Sequence, residues 1–193
     1  KSRYPQQRAY EQQQHTHLET LEALLEAGAN PNARLTADYW FAAYNFGGVG
    51  IDFWGATPFF RAANALDVDA MKLLVKYGAD LNIPTKAMPG NRHGGGELKI
   101  PDMDMSGLPP IPDGGPCMYP IHAASGNSGE GAGRAGNFHR HVRDGWIPAV
   151  RYLVEELGAD VTARDCLGYG TIHGAAGRGM NDVILYLVSK GAD

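Results

Sequence analysis

Two short phrases recur along the chain in a fixed order, and they constrain the fold more than any other feature of the sequence. The first phrase ends in paired alanines, as in GATPFFRAA from Gly55, MYPIHAASG from Met118 and GTIHGAAGRG from Gly170. The second phrase ends in Gly-Ala-Asn or Gly-Ala-Asp, at Asn30, Asp80, Asp160 and Asp193. Self-similarity of this kind is typical of a chain built from stacked structural units.

The spacing of the phrases indicates a repeat of fixed length. Phe60 stands in the place that His173 takes in the last copy, and a glycine follows each of them after the same interval, at Gly78 and Gly191. Together with the shorter interval from Gly158 to His173, this gives a period of roughly 33 residues, which is typical of helical solenoids. The corresponding intervals from Gly28 to Phe60, from Gly78 to His122 and from His122 to Gly158 are longer. Their excess predicts insertions at residues 33–54, 84–116 and 127–144.

The second phrase carries apolar residues at i, i+3 and i+4, which predicts a helix with one buried stripe. These stripes are Leu21, Leu24 and Leu25; Met71, Leu74 and Val75; Val150, Leu153 and Val154; and Ile184, Leu187 and Val188. The paired alanines predict a short first helix that its neighbours can approach closely. The glycines that follow the second helix, Gly28, Gly78, Gly158 and Gly191, are expected to end it in the left-handed conformation. One such unit buries little apolar surface, so the units must stack.

These phrases resemble the ankyrin repeat, which begins T-P-L-H-x-A-A, ends G-A-D-x-N and has the same period. The resemblance covers residues 1–193 and implies an all-α solenoid of stacked helix–turn–helix units with β-hairpin or finger loops and long insertions. The expected divisions are a partial unit 1–32 with an inserted loop 1–14, a finger insertion 33–54, a unit 55–83, a Pro/Gly-rich insertion 84–116, a unit 117–165 interrupted at 127–144, and a unit 166–193. Because both ends stop within the pattern, we expect the array to belong to a longer solenoid.

The opening YPQQRAY, the aromatic-rich finger and the phrase YLVEELGAD are similar to those of ankyrin-repeat proteins from environmental bacteria. This resemblance favours an exported protein. It also implies a non-catalytic scaffold without a cofactor, which binds a protein partner through finger loops and the concave face of the first helices. The candidate partner-binding residues are Tyr39, Trp40, Asn64, Asn82, Arg164, Asp165, Leu167 and Tyr169.

Two alternatives remain open on the sequence alone. The chain could be a permanent structural subunit of a larger assembly or filament, with the insertions as its contacts. The aromatic residues between Arg34 and Trp54 could likewise form either an interface or a private core of that insertion, since aromatic side chains dominate both kinds of packing.

Composition excludes several functional classes. A formal net charge of −4 gives no reason to expect a nucleic-acid partner. No apolar run approaches the roughly 20 residues that a membrane-spanning helix needs. Two cysteines, Cys117 and Cys166, are too few for a disulfide framework, and the sequence leaves open whether they are bonded.

Histidines are the remaining candidates for chemistry. His122 and His173 occupy the histidine of the ankyrin signature, which implies hydrogen bonds to backbone that tie neighbouring turns together. His15 with His17, and His139 with His141, form two H-x-H pairs that are weak candidates for a metal site. A metal-dependent enzyme built on these pairs is therefore a minor alternative.

Overall fold

The computed structural model of the protein describes residues 12–36, 54–87, 109, 111–126, 142 and 144–193. Over these residues the secondary structure is helical, with seven α-helices and no strand longer than an isolated bridge. The all-α fold class expected from the sequence is therefore confirmed. The chain divides into two compact units, residues 1–30 and 31–193.

The first unit contains the helix α1, His17–Glu26. Its start is fixed by a capping box, in which Thr16 Oγ1 accepts from the Glu19 N–H at 3.2 Å and the Glu19 carboxylate accepts from the Thr16 N–H at 2.7 Å. Leu25 is buried, but Leu24 is 55% exposed. The predicted stripe is wrong at Leu24, because the described residues of this unit supply no second helix to cover that side.

Six helices of the second unit form three consecutive pairs. They are α2 (Pro58–Asn64) with α3 (Val68–Lys76), α4 (Pro120–Ala124) with α5 (Trp146–Arg151), and α6 (Thr171–Gly177) with α7 (Asn181–Ser189). The chain continues from α5 as a π-helical segment, Tyr152–Glu156. The members of each pair pack together, α4 packs between α2 and α6, and α5 packs against α7. Within this unit the helix pairs are therefore stacked, which is consistent with an ankyrin solenoid.

The first helix of each pair begins where the repeated phrase predicts. At α2, Thr57 Oγ1 accepts from the Phe60 N–H at 3.2 Å and Pro58 occupies the first turn, where its missing N–H costs nothing. At α4, Pro120 fills the same place. The paired alanines Ala123 and Ala124 are fully buried, and this lets α4 lie close to its neighbours.

The turn between paired helices needs one residue with a positive φ. Gly126 and Gly179 supply it after α4 and α6, with φ of 91° and 67°. Leu66 supplies it after α2 with a φ of 59°, although a residue with a side chain adopts this conformation at a cost of roughly 1–2 kcal/mol. The Leu66 side chain is buried, and its packing offsets that cost.

The second helices form the apolar core as predicted, with one exception. Met71, Leu74, Val150 and Leu153 are all buried. In α7, however, Val188 is 51% exposed, while Val183 and Leu187 are buried instead. The prediction is wrong at Val188 because α7 packs against α5 and α6 and no described helix covers the side that carries Val188. The predicted glycine ends are confirmed, with positive φ at Gly28, Gly78, Gly158 and Gly191.

A disulfide joins Cys117 to Cys166 across 49 positions of sequence. Cys117 belongs to a small apolar cluster beneath the loops, and Cys166 packs against it. The bond links the segment before α4 to the loop before α6, so it fastens one helix pair to the next.

Candidate functional site

The loops that follow the second helices project from the helix pairs, and three stretches of them are called fingers here. The first finger is residues 31–36, the second is 79–87 and the third is 159–170. The third finger turns as a hairpin, in which the Asp165 N–H donates to the Tyr169 carbonyl at 2.9 Å. The Asp165 carboxylate accepts from the Leu167 and Tyr169 N–H groups, each at 2.9 Å, and so holds the hairpin from inside.

Two side chains of the first finger fasten it to the second. The Asn32 amide donates to the Gly78 carbonyl at 2.9 Å and accepts from the Asp80 N–H at 2.8 Å. The Arg34 guanidinium donates to the Pro84 carbonyl at 2.6 Å. Because each contact reaches a backbone group, the spacing between these two fingers is fixed.

The second and third fingers lack this pair of ties. Counted from the glycine that ends each second helix, Pro84 stands where the first finger has Arg34, and it has no side-chain donor. Asn82 stands where the first finger has Asn32. Within residues 54–87 and 144–193, no hydrogen bond joins Asn82 to Gly158 or Asp160. A space is left between the two fingers as a result.

This space is a groove of about 420 Å³, which is within the size range of ligand clefts. One wall is the second finger and the other is the third, while the start of α4 forms the floor. The lining residues are Leu81, Asn82, Tyr119, Pro120, Ile121, Ala159, Asp160, Ala163 and Arg164. The groove therefore presents polar and apolar surface in about equal parts, with one amide, one carboxylate and one guanidinium among its side chains.

His122 holds the third finger against the floor of the groove. Its Nε2–H donates to the Ala163 carbonyl at 3.0 Å, and its Nδ1 accepts from the Tyr119 N–H at 3.1 Å. Burial lowers the pKa of His122 to about 4, so the ring is neutral near pH 7, as these two bonds require. The expected role of His122 in tying neighbouring turns is confirmed, and the disulfide two residues before Tyr119 reinforces it.

Arg164 places a partly exposed positive charge on the third finger. Its guanidinium binds the Asp193 carboxylate at 2.8 Å, and its side chain remains 32% exposed. Nearby, His173 is exposed and its Nδ1 accepts from the Gly170 N–H at 3.0 Å. His173 therefore supports the start of α6, and its expected hydrogen bond to backbone is confirmed.

The eight predicted binding residues fall into four groups of two. Asn82 and Arg164 line the groove, on opposite walls. Leu167 and Tyr169 are half-buried in the third finger, where the Tyr169 ring lies 5.6 Å from that of His173. Tyr39 and Trp40 lie outside the described residues.

The remaining two predicted residues, Asn64 and Asp165, are each only 5% exposed. Asn64 is enclosed at the end of α2, and the Asp165 carboxylate is engaged by its own hairpin. Both side chains therefore offer little surface to a partner, and the Asp165 carboxylate holds its own hairpin together. Leu81, Asp160 and the floor of the groove were not among the predicted residues. The sequence signal for the groove is that Pro84 replaces Arg34 at the equivalent position of the second finger.

The histidine pairs give a limited result. His15 and His17 are exposed, and no group of three or more metal-ligating side chains occurs among the described residues. His139 and His141 lie outside those residues. Nothing in the geometry of His15 and His17 carries the metal-site hypothesis further.

The family comparison finds a match at residues 54–86, which fit the model of the ankyrin repeat. Residues 54–86 of this chain therefore form an ankyrin repeat. The matched residues comprise α2, α3 and most of the second finger, and so include one wall of the groove. A search of curated proteins found no match for the chain. Ankyrin repeats generally mediate protein–protein interactions, and the family is typically non-catalytic. No helix in the described residues is both long and apolar enough to cross a membrane.

Proposed function

We propose that this ankyrin-repeat chain is a protein-binding module and that its partner occupies the groove between the second and third fingers. The observation that carries the proposal is the missing pair of ties between these fingers, which leaves an open cleft in an otherwise fastened array. Binding clefts generally combine apolar surface with placed polar groups, and this groove has both.

The groove is also held in a defined shape, which lowers the cost of ordering it on binding. His122 and the disulfide fix the third finger to the start of α4. The second finger is fixed at its far end, where the Thr85 N–H donates to the Met118 carbonyl at 2.8 Å. Both walls are therefore anchored to the same floor.

A charge reversal in the groove tests the proposal. The partner is first identified by affinity capture with the wild-type chain and mass spectrometry. Arg164→Glu places a second carboxylate beside Asp160 and should abolish capture of that partner. Arg151→Glu is the matched control, because Arg151 is an exposed arginine of α5 whose contacts are with Glu155 and Tyr186. A partner that both variants retain does not use the groove, and the proposal would be rejected.

A permanent structural subunit is the second candidate. It is favoured by two exposed apolar side chains of α7, Leu185 at 69% and Val188 at 51% exposure. Under this alternative the chain purifies from its natural source only with a companion subunit, and the double substitution of Leu185 and Val188 by Glu releases it. A native chain of monomeric mass by light scattering would eliminate the alternative.

A further inference from the structure

In the preceding repeat, an asparagine side chain of one finger bonds to the backbone of the next finger. The same two groups face each other across the groove, but within the described part of the chain they are not bonded to each other. There, the Asn32 amide binds the Gly78 carbonyl and the Asp80 N–H. The corresponding amide of the second finger belongs to Asn82, and it lies across the groove from Asp160 of the third finger. Asn32 shows that an asparagine at this position binds a backbone C=O and N–H. Asn82 has the same position in the next repeat and lies beside the groove.

The second and third fingers begin with the same turn. The Asp80 carboxylate accepts from the Asn82 N–H at 2.7 Å, and the Asp160 carboxylate accepts from the Thr162 N–H at 2.8 Å. The third finger therefore offers its backbone in the conformation that Asn32 recognises in the second finger. What differs is that, among the described residues, no hydrogen bond joins the Asn82 side chain to the third finger, whereas Asn32 bonds to the second finger.

We propose that Asn82 and the backbone of the third finger at Asp160 bind the main chain of an extended partner segment lying between them. An asparagine amide is both donor and acceptor, and so is a peptide unit, which makes the two complementary without regard to side chains. A segment entering the groove supplies the Asn82 amide with a C=O and an N–H, as Gly78 and Asp80 supply Asn32. This inference rests on the proposed function, since it names the partner chemistry of the same groove.

The lining also defines the side chains that fit. Leu81, Tyr119 and Pro120 provide apolar surface, so a segment with an aliphatic residue at this point is favoured. Asp160 and Arg164 carry opposite charges, and Arg164 is already paired with Asp193. The Asp160 carboxylate accepts from the N–H and the hydroxyl of Thr162, so both charged side chains already have partners within the chain. We therefore infer that the bound segment is an uncharged, extended stretch of polypeptide.

The test uses a phage-displayed library of random linear peptides, selected against the full chain with its disulfide intact. The best binder is synthesised, and its dissociation constant is measured by fluorescence polarisation. Asn82→Ala should weaken binding about tenfold, as loss of one or two hydrogen bonds implies. N-methylation of successive peptide bonds in the binder should produce a similar loss at one position, because it removes the N–H from which the Asn82 amide oxygen would accept.

Asn32→Ala is the matched control, since it removes the same amide from the same position of the repeat where the contact is internal. It should lower the melting temperature by about 3 °C and leave the peptide affinity unchanged. Asn82→Ala should do the opposite, with an unchanged melting temperature and a weakened affinity. A loss of stability in Asn32→Ala and a loss of peptide affinity in Asn82→Ala would together show that the Asn82 amide binds the partner and not the fold.

The remaining outcomes separate this inference from the proposed function. If Arg164→Glu abolishes peptide binding but neither Asn82→Ala nor any N-methylation alters it, the main-chain contact is refuted while the groove remains a binding site. A binder that becomes helical in the complex, by circular dichroism, also refutes the extended segment. If no selected peptide depends on Arg164 or Asn82, both the inference and the proposed function fail.

Discussion

His122 makes the stability of the second unit dependent on pH. The folded protein holds the neutral ring, and burial lowers the pKa from the usual 6.5 to about 4. Between these two values the unfolded chain binds a proton that the folded chain does not. The stabilisation is therefore fully present above about pH 6.5 and is lost as the pH falls toward 4.

We expect the free energy of unfolding to fall by about 3 kcal/mol from this residue alone between pH 7 and pH 4. His122→Gln should remove that part of the pH dependence, measured by urea denaturation at a series of pH values. His173→Gln is the control, because His173 occupies the same signature position but is exposed. Equal pH slopes for the wild type and His122→Gln would contradict the prediction.

At the scale of the helical elements, the turns between paired helices differ in how much space surrounds them. Gly126 and Gly179 both have positive φ, so replacing either with alanine costs roughly 1 kcal/mol in backbone strain. A Cβ at Gly179 would meet nothing within 4 Å, whereas one at Gly126 would lie 2.7 Å from Met180 Cε and 2.9 Å from Arg178 Cδ. Arg178 cannot easily withdraw, because its Nε–H donates to the Gly126 carbonyl at 2.9 Å.

Gly126→Ala should therefore destabilise the protein by about 2 kcal/mol and Gly179→Ala by about 1 kcal/mol. Both variants carry the same backbone strain, so the difference between their losses of stability measures the crowding around the added Cβ at residue 126. Thermal denaturation of the two variants beside the wild type provides the measurement. Equal losses would mean that the Arg178 side chain relaxes away from Gly126 at little cost.

The helix pairs could be predicted from the sequence because their signals are local. The Thr57-Pro58 start, the paired alanines and the glycine ends each act within a few residues of the element they define. The exposed positions Leu24 and Val188 could not be predicted in the same way, because a helical stripe shows only which side is apolar. Whether a neighbour covers the whole of that side depends on tertiary contacts.

The groove was only partly predictable, and the reason is again one of distance along the chain. Asn82 and Arg164 were found because they lie in fingers, but the fingers' separation depends on ties between different repeats. The replacement of an arginine by Pro84 becomes visible only when the three fingers are aligned by their preceding glycines. The tie between His122 and Ala163 crosses 41 positions, and the ankyrin signature implies only that His122 bonds to backbone, not which carbonyl it reaches.

At the scale of the whole molecule, the Cys117–Cys166 bond is the covalent link between successive helix pairs. It closes a loop that spans 49 positions, and the chain-entropy model gives a stabilisation of about 4 kcal/mol for a loop of that length. Disulfides persist in oxidising surroundings and are rare where cellular thiols are kept reduced. The stability of the array should accordingly depend on the redox state of its surroundings.

Reduction should shift urea denaturation to markedly lower concentration, with a loss approaching about 4 kcal/mol in the free energy of unfolding. The double variant Cys117→Ala, Cys166→Ala should show the lower stability with or without reductant, which separates the bond from side effects of the reagent.

Hydrogen exchange adds a local test. The third finger has two fasteners, the disulfide and the bond from His122 to the Ala163 carbonyl at 3.0 Å. Amides of residues 163–170 should therefore exchange faster after reduction, and faster again when reduction is combined with His122→Gln. A finger whose exchange is insensitive to both changes would show that neither contact holds the wall of the groove in place.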